Sequence, residues 1–343
     1  MQDIKELTIE ELEGILGDWG YPKFHAQQIF SWIYQNPIRE FAQMSDLPLD
    51  LRKKLKEDFY LFGFKLLKKL KSEDKTEKFL FQLKDDNLIE AVTIPAEKRI
   101  TGCISTQVGC KFRCNFCASG LLGFKRNLTS GEMLEEILWL KNESLNKKLT
   151  HLVFMGIGEP LDNYDNVIKA IRLINSSLGL NIGARRITIS TCGIISGIKR
   201  LSQEDLQIEL SISLHAVDDA IRSRIMPVNK VYPLKNLLEA CRGYIKKTNR
   251  QITFEYLLIK GINSDLPNAQ KLVTILADLK LYKVNLIPAN TIKECRVESP
   301  ERREVLRFRD YLLKQGLNVT LRRARGEDID AACGQLRLRY EKA

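Results

Sequence analysis

Cys110, Cys114 and Cys117 are spaced C-x3-C-x2-C, and Cys103 stands seven residues before the first of them. The 343-residue chain has eight cysteines, the others being Cys192, Cys241, Cys295 and Cys333. The first twenty residues are acidic and carry no apolar run, so no secretory signal is expected. The expected setting is then a reducing cytoplasm, where clustered thiols serve metal or redox chemistry rather than a disulfide framework. A zinc site usually takes four ligands in two pairs. Three clustered thiolates suit an iron–sulfur cluster whose fourth iron stays open to a non-protein ligand. Buried structural cysteines are the plain alternative, and by spacing alone Cys103 reads equally well as a fourth ligand.

The elements that must position these thiols follow from hydrophobic periodicity. Strands are predicted over Ile100–Thr106, His151–Met155, Arg186–Ser190, Gln207–Leu214, Gln251–Ile259, Lys283–Ile287 and Asn318–Arg322. Helical stretches lie between them, at 131–142, 164–177, 234–247, 265–279 and 301–315. This alternation implies an α/β fold of parallel strands with crossover helices, an open or closed barrel with its chemistry at the C-terminal strand ends. Residues 1–60 read as a small helical module: Leu7, Leu12, Ile15 and Leu16 keep a helical period, and Thr8 with Glu11 makes a capping box. Residues 61–98 read as a basic linker followed by two short strands, at 77–83 and 88–95, around Asp85-Asp86-Asn87. Residues 99–337 make the core and 338–343 a tail.

Composition is that of a globular protein, 44% hydrophobic and 28% charged. No stretch approaches the roughly 18 uninterrupted apolar residues of a membrane span, so no membrane partner is expected. The net charge of +11 is uneven: residues 1–60 carry 7 Lys+Arg against 11 Asp+Glu, the remainder 47 against 32. A nucleic-acid partner and simple colloidal solubility account for that excess equally well.

With its C-x3-C-x2-C on a loop after the first barrel strand, the chain resembles the radical S-adenosylmethionine (radical SAM) superfamily. Phe154-Met-Gly-Ile-Gly-Glu-Pro160 looks like the SAM-binding element of that superfamily. Thr106-Gln-Val-Gly109, Ser211-Ile-Ser-Leu-His-Ala216 and the stretch from Gly326 to Leu336 narrow the resemblance to the RlmN-type dual-specificity RNA methyltransferases. The resemblance implies a partial (β/α)6 barrel with a small N-terminal helical domain and a short β extension. It implies one [4Fe-4S] cluster on Cys110, Cys114 and Cys117, whose open iron is chelated by the methionine amine and carboxylate of SAM. It also implies SAM contacts at Gly158, Glu159, Ser190, Ser213, Leu214, His215 and Asn290, with the Glu159 carboxylate and its neighbouring backbone meeting the amine. Taken alone, His215 reads as a satisfied core histidine.

The reaction implied is methylation at C2 of an adenosine: adenosine 2503 of 23S rRNA and adenosine 37 of tRNA. That carbon is electron-poor and has no lone pair, so polar methyl transfer fails there and radical chemistry is required. The resemblance places the methyl carrier on Cys333, the proton acceptor on Glu90, and the resolving thiol on Cys103, which forms a disulfide with Cys333 as the RNA adduct fragments. Two SAM molecules are consumed. Without the resemblance, Cys333 reads as buried packing and Glu90 as a solvated strand-edge carboxylate. Implied partners are 23S rRNA, tRNA and an electron donor such as flavodoxin or ferredoxin, with the enzyme a monomer.

Lys65, Lys68, Lys69 and Lys71 are candidate phosphate contacts or a solvated helix face. Arg322, Arg323 and Arg325 are further phosphate candidates, and Lys23, His25 and Gln27 form a local patch in the acidic module. Cys192, Cys241 and Cys295 match no motif position, and Asp162, Asn163 and Asp165 read as a helix start rather than a calcium loop. The rival readings are a related group that methylates C8 of the same ribosomal adenosine, and a radical SAM activase or protein-modifying enzyme. The second leaves Cys103 and Cys333 without a role.

Overall fold

The computed structural model describes residues 1–36, 38–143, 149–289, 297–322, 325–329 and 334–342, without the side chains of Glu327 and Lys342. Asn290, Cys295, Arg323 and Cys333 lie outside the described residues.

Near the N-terminus, β1 (Gln2–Asp3) pairs parallel to β2 (Phe59–Tyr60), and between them lie α1 (Ile9–Asp18), α2 (Phe24–Gln35) and α3 (Leu49–Asp58). The capping box forms: Glu11 N donates to Thr8 Oγ1 (3.2 Å) and Thr8 N to Glu11 Oε2 (2.7 Å). Next come β3 (Lys65–Lys71), β4 (Glu77–Gln82) and β5 (Leu88–Ala96), an antiparallel meander whose last strand pairs with β6 (Arg99–Cys103). A small hairpin, β7 (Gln107–Gly109) with β8 (Phe124–Asn127), encloses α4 (Ala118–Leu121) and leads into α5 (Ser130–Glu143). Strands and helices then alternate: β9 (His151–Phe154), α6 (Tyr164–Asn175), β10 (Ile187–Thr191), α7 (Ile195–Leu201), β11 (Glu209–Ser213), α8 (Asp219–Ile225) and α9 (Leu234–Thr248). The chain continues through β12 (Ile252–Leu258), α10 (Leu266–Leu276), β13 (Tyr282–Pro288), α11 (Arg302–Lys314), β14 (Val319–Leu321) and α12 (Gln335–Lys342).

Ten of these strands form one sheet, ordered β14-β13-β12-β11-β10-β9-β6-β5-β4-β3, and every pairing from β6 to β14 is parallel. The expected α/β barrel is therefore present as an open sheet, with the meander as its β extension and β14 as one further parallel strand. Period-2 alternation decides its two faces. Leu152, Phe154, Ile187, Ile189, Leu210, Ile212 and Phe254 are buried in the core under the helices. A closed barrel would fill its interior with branched apolar side chains. Here the inner face is polar, around a cavity of about 580 Å³ lined among others by Arg99, His151, Arg186, Glu255, Lys283 and Arg322. Burial, then Arg99 and Arg186, hold the His151 imidazole below its ordinary value. No helix among the described residues is long and apolar enough to cross a membrane.

Three expectations are corrected. The basic stretch is neither linker nor helix: Lys65–Lys71 is the edge strand of the sheet, where lysines discourage pairing with another chain. Lys69 is already paired with Glu77 (3.5 Å) and Glu143 (3.1 Å). Residues 338–342 are not a tail but the end of α12, because Leu336 and Leu338 are buried. His25 is also buried, beside Gln28 (2.6 Å), rather than presented on a surface patch.

Lys5 ties the N-terminal helices to the sheet. Fully buried, it ion-pairs with Asp3 (2.7 Å) and with Glu135 on α5 (3.1 Å), and donates to the Leu61 carbonyl. Glu135 Oε1 also accepts from Gly63 N (2.7 Å) and Phe64 N (2.6 Å). Removing one partner of such a group strands buried charge. Lys5→Met is expected to lower the unfolding free energy in urea by about 3–5 kcal/mol; an unchanged midpoint would contradict this anchoring.

Candidate active site

The loop leaving β6 carries the cysteines and has little ladder pairing of its own, so buried side chains satisfy its backbone. Ser105 N donates to Glu136 Oε2 (2.9 Å), and Ser105 Oγ donates to the Glu90 carbonyl (2.7 Å). Asn163 Nδ2 donates to the Thr106 and Leu128 carbonyls (2.8 and 2.7 Å), and Glu159 N donates to Gln107 Oε1 (2.9 Å). Asn163 thus sits at the start of α6, as expected of a helix start. Gly158 is required by this packing: its φ is +111°, and a Cβ would come within 2.7–2.8 Å of Gln107 and Thr106. Its missing side chain makes room for the cysteine-bearing loop itself.

The three motif cysteines lie inside the β7–β8 hairpin, where Cys110 N donates to the Gly123 carbonyl (3.2 Å) and Cys117 N to the Cys114 carbonyl (3.0 Å). Asn115 pins the loop to α8, its N–H donating to the Ile225 carbonyl (2.9 Å) and its Nδ2 to that of Arg224 (2.6 Å). All three thiols are partly exposed. Burial pushes the Cys110 thiol up to about 12 and the Cys114 thiol well above its ordinary value, the nearby Cys117 sulfur adding to both. The three sulfurs therefore share one neighbourhood. No trio of His, Cys, Asp or Glu among the described residues is arranged to hold a single metal ion. A donor set of three clustered thiolates fits an iron–sulfur cluster with one open iron.

Strand ends β10 and β11 complete the rim. Ser190 and Ser213 lie there, and Glu159 also braces the backbone. Its carboxylate is buried and takes two backbone donors, Leu161 N on Oε1 (3.0 Å) and Cys192 N on Oε2 (2.7 Å). It bolts the β9 and β10 loops together. His215 has a left-handed φ of +56°, and its Nδ1 accepts from Leu257 N (3.0 Å), so the ring proton sits on Nε2. Burial, then Arg222, push its imidazole down to about 3. It is a neutral wall residue, with Phe116 of the cysteine loop edge-on at 5.0 Å.

Sequence reasoning missed two neighbours of the cluster loop. Cys192, read as a bystander, is buried with Glu159, Cys114 and Cys110 among its electrostatic neighbours. Its place at the end of β10 was the available signal. Arg222 is fully buried and donates to the carbonyls of Leu214 (3.1 Å), Ser213 (3.0 Å) and Cys192 (2.8 Å) and to Asn229 Oδ1 (3.0 Å). It splints the Ser-Leu-His turn, and nothing in its local sequence announces that role.

A second cluster forms on β5 and β6. Cys103 lies opposite Val92, so Cys103 and Glu90, two residues from Val92, lie on one face. Burial pushes the Cys103 thiol up to about 11, partly opposed by Arg322 and Lys78. The motif cysteines are not among its main electrostatic neighbours, which disfavours the reading of Cys103 as a fourth ligand. Glu90 is buried, ion-paired to Lys78 (2.9 Å), and accepts from Gly334 N on Oε2 (2.9 Å). Gly334 directly follows Cys333.

A family model described as the radical SAM superfamily matches residues 104–273. A second, the ribosomal RNA large subunit methyltransferase N-terminal domain, matches residues 2–61. A protein of Clostridium novyi described as a probable dual-specificity RNA methyltransferase RlmN is 46% identical over 341 residues, covering 99% of each chain. A protein of Thermoanaerobacter sp. with the same description is 44% identical over 343 residues, covering 100% of this chain and 99% of its own. The crystal structure of a radical SAM methyltransferase from Sphaerobacter thermophilus superposes with a TM-score of 0.95 at 39% identity, covering 98% of this chain and 99% of that one.

The raised Cys103 thiol makes its reactivity steeply dependent on pH, since only the thiolate attacks an alkylating agent. Iodoacetamide labelling of the Cys103 peptide, followed by mass spectrometry, is expected to accelerate about tenfold per pH unit from 7 to 10. A plateau reached by pH 9 would contradict a thiol held near 11.

Proposed function

Because the chain belongs to the RlmN-type radical SAM RNA methyltransferases, we propose that it methylates C2 of an adenosine in 23S rRNA and in tRNA, at adenosines 2503 and 37, with Cys333 as the methyl carrier. The observation that supports this reading most is the bond from Gly334 N to Glu90 (2.9 Å). It joins a residue adjoining Cys333 to the carboxylate proposed as base, on the strand face that also carries Cys103. Three residues far apart in sequence are needed together by a mechanism that ties the base to the protein and then releases it.

When bound on Cys110, Cys114 and Cys117, the cluster supplies the electron that turns SAM into a source of a carbon radical. The chain's own residues do the rest. The Cys333 thiolate attacks the methyl carbon of one SAM, forming a sulfur–carbon bond as the sulfonium–methyl bond breaks and the neutral thioether leaves with the electron pair. Once the carried carbon is joined to C2, Glu90 removes the C2 proton. The Cys103 thiolate then attacks Cys333 Sγ. A sulfur–sulfur bond forms as the carbon–sulfur bond breaks, its electron pair passing to the transferred carbon, which takes up a proton from solvent to become the methyl group, and a two-electron reduction by the electron donor later restores both thiols. Gly158, Glu159, Ser190, Ser213, Leu214, His215 and Asn290 frame SAM, chiefly through backbone. An electron donor of the flavodoxin or ferredoxin kind feeds the cluster, and the enzyme acts as a monomer in the cytoplasm. Arg99, Arg186, Lys283 and Arg322 give the inner face of the sheet the positive charge that an RNA strand needs.

The test is nucleoside analysis. Reconstituted enzyme, SAM, reductant and either RNA should yield 2-methyladenosine by mass spectrometry. Finding 8-methyladenosine alone would move the assignment to the C8 group, and unmodified RNA would contradict an RNA substrate.

A further inference from the structure

The Glu90 carboxylate already holds three donors. Its Oε2 meets Lys78 Nζ (2.9 Å) and Gly334 N (2.9 Å), and its Oε1 accepts from Arg337 N (2.5 Å). Lys78 is 0% and Glu90 3% exposed. Gly334 and Arg337 are the residue before α12 and the third residue within it, so Glu90 caps this helix from another element. Leu336 seats the same turn against Leu80, which lies opposite Glu90 in the register, and Leu88. On its other side the segment meets the cluster loop. Gly334 has φ +77°, and a Cβ there would fall 2.6 Å from Ser119 N, two residues after Cys117.

A base that removes a proton from C2 must present an oxygen lone pair to the substrate carbon. A carboxylate has about four such positions, and three here are taken, in a group closed off from solvent. The same oxygens cannot hold residues 334 and 337 and also meet a nucleobase. The docked arrangement carries its own cost as well. Among the described residues, Nη1 and Nη2 of the buried Arg337 have no hydrogen-bond partner, which costs free energy and favours release.

We propose that Glu90 is the anchor that docks the Cys333 segment, that Lys78 is the positioning residue which orients it, and that substrate adenosine competes with the amides of Gly334 and Arg337 for this carboxylate. The competition rests on the RNA-methyltransferase reading above; the anchor does not. Base availability is then coupled to release of the Gly334 and Arg337 amides, so Glu90 is withheld until the substrate base, joined to Cys333, takes the place of these two donors.

Hydrogen–deuterium exchange on the full chain tests both parts without turnover. Lys78→Met and Glu90→Gln are each expected to speed exchange at Gly334 and Arg337 about tenfold, the worth of one such bond. Lys78→Arg should restore protection, and β12 amides should stay unchanged. Since Lys78→Met strands a buried carboxylate, the double variant Lys78→Met/Glu90→Gln, which carries no buried charge at the pair, should show the same loosening. Unchanged exchange at Gly334 and Arg337 in the double variant would overturn the anchor. Adding a synthetic RNA hairpin with the target adenosine to wild type should also speed exchange at these two amides. Hairpin binding, followed by fluorescence anisotropy, separates the failures: binding without faster exchange overturns the competition, and absence of binding overturns the RNA reading on which it rests.

Discussion

The loops at the C-terminal edge of the parallel sheet carry the chemistry and have few ladder partners, so their buried amides and carbonyls must be satisfied by side chains. This constraint shapes the active site more than any other. Glu136, Asn163 and Gln107 hold the loop that leads to the cysteines, Glu159 ties β9 to β10, and Arg222 ties β10 to β11. Each is buried, and loss of any one would strand groups away from water. Two residues that the resemblance implies as cofactor contacts are braces as well. Glu159 spends both oxygens on backbone, and His215 is neutral and fixed by Leu257 N.

The inner face of the sheet follows from the same alternation that builds the core. Parallel strands buried on both faces read as continuous apolar runs. Here β10, β11 and β12 alternate apolar with Thr, Ser and Glu, so one face is free to meet a polar ligand. Asn285 Nδ2 donates to Glu255 Oε2 (2.7 Å), giving that buried carboxyl a partner on the neighbouring strand. With Arg99, Arg186 and Arg322 on the same surface, the positive excess of the core faces inward as well as outward. The acidic N-terminal helices are held to α5 by Lys5.

Much of this was legible in the sequence because its signals are local. The cysteine spacing, the strand–helix alternation and the Thr8–Glu11 cap each occupy a few neighbouring residues. Long-range polar pairing left no such mark. Nothing near Glu90 indicates that it holds residues 334 and 337, and nothing near Arg222 indicates that it splints Ser213 and Leu214. The lysine-rich stretch misled because Lys and Leu alternate irregularly there; a bulge between Leu66 and Lys68 lets it run as an edge strand. The expected tail proved helical: Leu338 within it is buried, and Leu336 just before it packs against Leu80 and Leu88 of the folded meander. Roles for Cys333, Cys103 and Glu90 came from family resemblance, and the fold puts Glu90 on the strand face that carries Cys103 and in a hydrogen bond with Gly334 N.

The central claim is that the methyl group travels on the chain itself. A pulse–chase measures this directly. The enzyme is charged with SAM carrying a 13C-methyl group, desalted, and then given unlabelled SAM, reductant and RNA for a single turnover. The account predicts a 13C-methyl on the Cys333 peptide before RNA is added, and the same label in the first 2-methyladenosine formed. A first product carrying only unlabelled methyl would contradict it.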